Sequence, residues 1–145
     1  MKTWRAAAVA ALVGMLLLVS GCSLMPDGGE NEALDFTWQV EAFGPGDPPV
    51  LADPGRTPVL TLDAGAASGT GGVNTFSGSY TWKRDGTFQF GELAATEMAG
   101  PPEAMAQETA FLAALRDTRR YELANAKLLL SDAEGRVLLV FRPQE

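Results

Sequence analysis

The chain of 145 residues contains no histidine and only one cysteine, Cys22. Histidine is the commonest general base, the commonest zinc and copper ligand and the usual charge switch near neutral pH. Its absence excludes nucleophilic triads and zinc sites of the usual kinds. A lone cysteine also excludes a disulfide within the chain, so packing has to stabilise the fold.

Basic residues are scarce as well. The chain has 11 Lys and Arg residues against 18 Asp and Glu residues, and its formal net charge is −7. Nucleic acids and anionic lipid headgroups bind clusters of Lys and Arg. We therefore expect no nucleic-acid partner, and no electrostatic attraction to a membrane surface.

The first residues of the chain have the pattern of an export signal. Lys2 and Arg5 precede an apolar run over residues 6–19, and the small residues Ser20 and Gly21 follow it. A helix of that length spans about 21 Å, which is too short for a bilayer core of about 30 Å. The sequence thus predicts a cleaved signal peptide over residues 1–21, and a plain secretory signal is one form it can take.

The end of this run resembles a bacterial lipobox. The sequence Leu-Val-Ser-Gly-Cys stands at residues 18–22, and the resemblance implies that Cys22 is lipidated and becomes the first residue of the mature protein. Residues 22–33 are polar and aperiodic, which is typical of a flexible tether. Ser23, rather than Asp, resembles sorting to the outer membrane in Gram-negative bacteria. The implied location is the bacterial cell envelope, lipid-anchored, and in a Gram-negative host the outer membrane facing the periplasm.

The rest of the chain, residues 34–145, alternates as strands do. Period-two runs predict strands, and the pair Asp85-Gly86 favours a tight hairpin turn. Helical spacing follows Pro101 and Pro102 and continues for about four turns, through Met105, Glu108, Leu112 and Leu115. Residues 44–58, 64–72 and 94–102 are interpreted as irregular. The predicted strands are residues 36–42, 59–63, 74–82, 87–90, 121–124, 127–131 and 136–142.

These elements predict an α+β fold. Six or seven short antiparallel strands form a strongly curved sheet, or a small and partly open β-barrel, and one helix covers it. Strands and helices do not alternate in the way that a parallel sheet requires.

Two stretches resemble the META domain family, whose members include HslJ-like lipoproteins. Residues 71–80, GGVNTFSGSY, resemble that family's Gly-Cys-Asn-x-Phe-x-Gly-x-Tyr core, and residues 96–99, TEMA, resemble its Thr-x-Met-Ala-Cys segment. A helix with a Glu and a Phe-Leu-x-x-Leu pattern follows, here Glu108 and residues 111–115. The resemblance covers roughly residues 34–142 and marks seven motif positions: Asn74, Phe76, Gly78, Tyr80, Thr96, Met98 and Glu108.

The chain departs from the family at two positions. Val73 and Gly100 stand where relatives commonly have cysteines. The resemblance implies that relatives join these cysteines in a disulfide which is lost here, and it implies no redox role for this chain.

The motif residues have physical reasons of their own. Gly78 on a strand lets another backbone or ring approach closely, and Asn74 before a strand is typical of a side chain that clips a turn. Glu108 on the apolar side of a helix needs hydrogen-bond donors, for which the backbone of residues 94–100 is one source. The sequence favours structural roles over the alternative, in which Asn74, Thr96 and Glu108 form a polar binding site.

Three functions are compatible with this pattern. The leading hypothesis is a non-enzymatic envelope lipoprotein, without cofactor or metal, that supports envelope integrity or tolerance of heat and antibiotics through contacts with an unknown protein. A second is a small barrel that binds a lipid or another hydrophobe. Catalysis by paired acids, Asp85 with Glu92 or Glu97 with Glu103, is the third, although acids in loops are usually only solvated. The aromatic residues that would line the cavity of the second hypothesis are Phe76, Tyr80, Trp82, Phe88 and Phe90.

Overall fold

The computed structural model describes residues 33–44 and 50–145. The predicted signal peptide, the lipidation site Cys22, Ser23 and nearly all of the predicted tether lie outside the described residues. These features stay predictions.

The described residues form ten strands and one helix, and every strand pairing is antiparallel. Along the sheet the order is β6-β5-β4-β3-β1-β10-β9-β8, with β2 added to β1 and β7 added to β5. The elements are β1 Thr37–Phe43, β2 Val50–Leu51, β3 Val59–Asp63, β4 Ala66–Thr70, β5 Thr75–Trp82, β6 Phe88–Phe90, β7 Ala94–Ala95, α1 Pro102–Asp117, β8 Arg120–Ala124, β9 Lys127–Ser131 and β10 Val137–Pro143.

The two ends of this sheet meet and nearly close a barrel. The Phe88 amide donates to the Arg119 carbonyl at 3.0 Å, and the Tyr121 amide donates to the Gly86 carbonyl at 2.9 Å. The barrel closes only along this short stretch. Strand β7, like β6, pairs with β5, but within the described residues no strand pairs with the other side of β7. Helix α1, which links β7 to β8, packs against β6 and β10.

The α+β barrel-like architecture is confirmed, but the predicted number of strands is wrong. Strand β4 has the sequence AASGT, whose small residues are typical of a turn, and yet it pairs along its whole length with β3 and β5. Strands β2 and β7 have two residues each, which is too short for any periodicity. Backbone pairing with neighbours therefore creates three strands that side-chain patterns do not reveal.

The barrel interior is filled by side chains of alternating strand residues. Tyr80 stacks on Phe88 at a centroid distance of 5.4 Å, and Phe88 meets Phe90 edge to face at 4.9 Å. Of the aromatic residues proposed to line a cavity, Phe76 is also buried and Trp82 packs against the core from a half-buried position. These rings occupy the interior themselves.

Helix α1 buries a stripe of four residues with a spacing of three and four. These residues are Ala104, Glu108, Phe111 and Leu115. Met105 and Leu112, which the sequence places on the apolar side, are only partly buried and lie beside that stripe. The helix therefore presents both a core face and a partly apolar flank.

The start of the described fold is held against the barrel. The Trp38 indole Nε1 donates to the Leu34 carbonyl at 3.1 Å, and the Tyr80 hydroxyl donates to Asp35 Oδ1 at 2.6 Å. Burial, together with the hydrogen bond to Asp35, raises the pKa of Tyr80 to about 12. Tyr80 thus stays a hydrogen-bond donor at any physiological pH.

Candidate functional site

A polar junction forms where the turn before β5 meets helix α1 and the segment after β7. We use the name polar junction for Asn74, Glu108, Thr96 and the backbone of Met98. The turn is closed by one backbone and one side-chain hydrogen bond, since the Gly71 amide and the Thr70 hydroxyl both donate to the Asn74 carbonyl, at 2.9 and 3.0 Å. This turn places Asn74, which is 3% exposed, over the helix.

Glu108 is the acceptor of the junction. Its Oε2 accepts hydrogen bonds from the backbone amides of Val73 at 3.0 Å and Asn74 at 2.6 Å, and its Oε1 accepts one from Asn74 Nδ2 at 2.6 Å. The residue is only 5% exposed. The prediction that the backbone of residues 94–100 supplies the donors is therefore wrong, because the turn before β5 supplies all three hydrogen bonds.

The charge of Glu108 is held by these donors. Burial raises the pKa of its carboxyl, but the hydrogen bonds from Asn74 and Val73 favour the ionised form more strongly and keep the pKa below its ordinary value. A carboxylate with its oxygens occupied in this way is a structural anion. As a general base it would first have to lose the bonds that hold the turn.

The Asn74 amide continues the junction on its other side. Its Oδ1 accepts from the Met98 amide at 2.6 Å and from the Thr96 hydroxyl at 2.9 Å, and its Nδ2 donates to the Met98 carbonyl at 3.1 Å. Because the Asn74 side chain bonds to both the amide and the carbonyl of Met98, it takes the place that a residue of a neighbouring strand would have in a sheet. Asn74 thereby joins the helix, through Glu108, to the segment after β7.

Two close approaches require glycine at the junction. A Cβ built on Gly71 would lie 2.8 Å from Glu108 Oε2, and one built on Gly100 would lie 2.8 Å from Val73 Cγ2. The sequence marks Gly100 only as a departure from the family pattern and gives no signal for Gly71. Val73 fills the space beside Gly100, and these are the two positions at which the resemblance implies cysteines in relatives.

A groove runs between the segment after β7 and the partly buried flank of helix α1. It has a volume of about 570 Å³. Its walls are apolar apart from the junction side chains and two further charged residues, Glu97 and Arg116. Met98, which is 57% exposed, stands at its rim. The apolar lining residues are Leu93, Ala95, Met98, Ala99, Met105 and Leu112.

The fold, the turn and the segment after β7 agree with one known family. The model of the META domain matches residues 32–145 of the chain. The chain belongs to the META domain family.

Solved structures resemble the META fold described here over most of their length. A protein from Burkholderia xenovorans, solved by NMR, is 25% identical, with a TM-score of 0.64 and coverage of 99% of this chain and 98% of that one. A second NMR structure is 18% identical, with a TM-score of 0.58 and coverage of 79% and 94%. A DUF4847 family protein from Bacteroides vulgatus is 16% identical, with a TM-score of 0.54 and coverage of 77% and 96%. No curated protein matches the chain at a significant level.

Six of the seven META motif residues fall into two groups in the structure, and Gly78 stands apart from both. Asn74, Thr96, Met98 and Glu108 come together in the polar junction, whereas Phe76 and Tyr80 lie in the barrel core. Gly78 lies on β5, and a Cβ there would approach the Glu92 carbonyl to 2.5 Å and Leu93 Cδ2 to 2.7 Å. The prediction that Gly78 admits a close neighbour is confirmed.

One residue of the META domain that sequence reasoning missed is Gln107. Its Oε1 accepts from the Asp53 amide at 3.0 Å, and its Nε2 donates to the Arg56 carbonyl at 2.9 Å. Gln107 therefore clips the loop between β2 and β3 to helix α1. A single polar residue on a helix gives no sequence signal for such a contact.

The four acidic residues named as possible catalytic pairs, Asp85, Glu92, Glu97 and Glu103, are all exposed. Asp85 accepts hydrogen bonds from Thr87 in its own hairpin turn, which lower the pKa of its carboxyl. Among residues 33–44 and 50–145, no group of three or more side chains is placed to hold a metal ion. In the same described ranges, no helix combines the length and apolar character that crossing a membrane requires.

Proposed function

We propose that this META protein is a lipid-anchored, non-enzymatic protein of the bacterial cell envelope, which supports envelope integrity or stress tolerance by contacting other envelope proteins. Cys22 carries the lipid, residues 22–33 tether the domain, and the domain itself makes the contacts.

The observation that carries the proposal is the state of the polar junction. Asn74 and Glu108 are the most polar of the buried motif residues, and both use their side-chain atoms to bind other parts of this chain. No buried side-chain nitrogen or oxygen in the described ranges lacks a hydrogen-bond partner. Because these buried motif residues hold the fold together, they support the proposal that the domain acts through its surface.

The sequence supplies the support for the anchor. The cysteine follows an apolar run and a glycine at a lipobox-like position, and the body of the chain is acidic, so the lipid has to provide the membrane contact. Anchoring by more than one acyl chain is stable, whereas one chain binds only marginally. A protein held at the surface in this way meets other envelope proteins at high local concentration.

The test combines a deletion strain with three complementing genes. We expect the deletion to increase sensitivity to heat, detergent or novobiocin, the wild-type gene to restore tolerance, and Cys22→Ala, which cannot be lipidated, to fail. Glu103→Ala, an exposed change in the same domain, is the matched control and should restore tolerance.

Two results would contradict the proposal. One is a deletion strain that grows like its parent under all three challenges. The other is a mature protein whose mass shows an unmodified Cys22, since the anchor would then be absent.

A further inference from the structure

Residues 95–99 continue from β7 without a turn or bend and are paired on one side only. Its inner side faces β5, where the Thr96 amide donates to the Thr75 carbonyl at 3.0 Å and Met98 is bonded to the Asn74 amide. Successive residues of an extended chain direct their backbone groups to opposite sides. Ala95, Glu97 and Ala99 therefore direct theirs away from the barrel, and we call these three residues the outer edge.

The outer edge is exposed to solvent, and its backbone groups are not paired within the described part of the chain. Residues 94–99 are all exposed, and in the described part of the chain the amides and carbonyls of Glu97 and Ala99 have no hydrogen bond. Natural edge strands are usually protected by being short, by charged side chains, by proline, by a bulge or by a covering element. Strand β7 is short and the edge carries one charge, Glu97, but no Lys or Pro precedes Pro101. The edge therefore presents donors and acceptors at the spacing that another strand requires.

The groove beside the edge suits the side chains of such a strand. Met105 and Leu112 lie along helix α1, Leu93 lies below the edge, and Met98 stands at the rim. Methionine side chains adapt to different apolar partners, which is why they are frequent at binding surfaces. Backbone donors and acceptors beside an apolar groove are the two components of recognition by strand addition.

Charge at the groove indicates what kind of segment fits. Residues 92–100 contain Glu92 and Glu97 and no Lys or Arg, and Arg116 is the one cation among the lining residues of the groove. A segment flanked by basic residues is therefore complementary, whereas an anionic lipid is not. A lipid chain would also leave the backbone groups of the edge without partners.

We propose that the outer edge binds an extended polypeptide segment of a partner protein, which adds a strand beside β7, places apolar side chains in the groove and carries basic residues at its ends. This inference rests on the proposed role in protein contacts and names the surface and the chemistry of those contacts.

The first test uses a defined peptide as the probe. The whole chain, labelled with ¹⁵N and held in detergent micelles, is titrated with the acetylated and amidated peptide KVTVTVTVK. We expect chemical-shift changes at Ala95, Glu97, Ala99, Met105 and Leu112, and slower exchange of the Glu97 and Ala99 amides. No change at millimolar peptide, or changes centred on β2, would overturn the inference.

A matched pair of peptides separates backbone pairing from simple apolar adhesion. N-methylation of alternate residues blocks one side of the peptide strand, and methylation of the other residues blocks the opposite side. One of the two peptides should lose binding by about tenfold or more, and the other should bind like the parent. Equal binding by both would overturn strand addition.

Variants of the protein supply an independent control. Glu97→Pro removes one outward amide, and we expect it to weaken peptide binding by about tenfold, whereas Glu97→Ala keeps the amide and should bind within about threefold of wild type. Equal loss in both variants would assign the effect to the Glu97 charge and not to the edge.

Light scattering on the same samples distinguishes a second copy of this chain from a partner. A dimer that forms with rising concentration and is abolished by Glu97→Pro would replace the partner segment with a neighbouring molecule and so overturn the inference. Peptide binding and the anchor fail separately, because Cys22 lipidation and the deletion phenotype do not enter these measurements.

Discussion

The inner and outer sides of residues 95–99 differ although they belong to the same short segment. On the inner side, β5 and the Asn74 amide bind Thr96 and Met98, and Asn74 in turn is held by Glu108. On the outer side, the backbone groups of Glu97 and Ala99 have no partner within the described ranges. One side thus stabilises the fold, while the other is available for binding.

On the proposed function, the motif residues act indirectly. Asn74 and Glu108 are buried and saturated, and what they achieve is to hold an extended segment on the barrel surface with one side open. Substitutions on the inner side should therefore change stability, and substitutions on the outer side should change binding.

The largest expected effect is that of Glu108→Ala. It leaves the Val73 and Asn74 amides without their acceptor and removes one of the two acceptors of Asn74 Nδ2, so the free energy of unfolding should fall by about 3–5 kcal/mol. Chemical denaturation measures this. The control is Glu103→Ala, an exposed change in the same helix, which should stay within about 0.5 kcal/mol of wild type. A Glu108→Ala protein as stable as this control would contradict the inner-side account.

The next largest expected effect is an increase in the stability of the fold, caused by an engineered disulfide. A Cβ built on Gly100 lies 3.5 Å from Val73 Cβ, which is within the usual range for a disulfide. The double variant Val73→Cys with Gly100→Cys, in a Cys22→Ala background, should form that bond and gain on the order of 3 kcal/mol in the chain-entropy model.

Comparison of the oxidised and reduced forms of this double variant provides its own control. Denaturation of both forms measures the gain, and thiol titration measures the bond. Two thiols that stay free under mild oxidation would show that Val73 and Gly100 do not lie together as described.

A smaller effect depends on pH. The pKa of Glu108 is lower in the folded protein than its ordinary value of 4.5, so its contribution is present above that value and is lost as pH falls through the folded-state pKa. Glu108→Gln should cost about 1–3 kcal/mol at neutral pH.

The acid limb of the stability curve checks the same contribution. The loss of stability on acidification should be shallower in Glu108→Gln than in wild type. Part of the slope should remain, because the pKa of Asp132 is also lowered by hydrogen bonds from Arg136 and Glu134. Identical slopes in the two proteins would mean that Glu108 does not titrate as described.

The smallest expected effect on stability is that of Glu97→Pro. The Glu97 amide has no hydrogen bond to lose in the described chain, so the free energy of unfolding should change by about 0.5 kcal/mol or less. Thermal unfolding of Glu97→Pro and Glu97→Ala gives the comparison. A loss above about 2 kcal/mol would show that the outer side also supports the fold.

Part of this molecule is predictable from its sequence. Helix α1 is marked by Pro102 at its start and by regular apolar spacing, and the Asp85-Gly86 turn is marked by a glycine that takes a φ of +90°. Both signals are local, because each depends only on residues that are close together in the sequence.

The remaining features depend on contacts between distant parts of the chain. Strand β4 exists because β3 and β5 supply its hydrogen bonds, and the acceptor for the Asn74 amide is Glu108, 34 residues away. The outer edge is also invisible in the sequence, since an alanine-rich segment has the same composition whether or not a strand covers it. The META resemblance identified the residues of the polar junction but not which atoms they join.

Amide hydrogen exchange across residues 94–100 measures the difference between the inner and outer sides of this segment. We expect slow exchange for the Thr96 and Met98 amides, which donate to the Thr75 carbonyl and Asn74 Oδ1, and exchange close to that of an unfolded chain for Glu97 and Ala99. Uniformly slow exchange at all four amides in the free protein would contradict this expectation, because the outer edge would then already be covered.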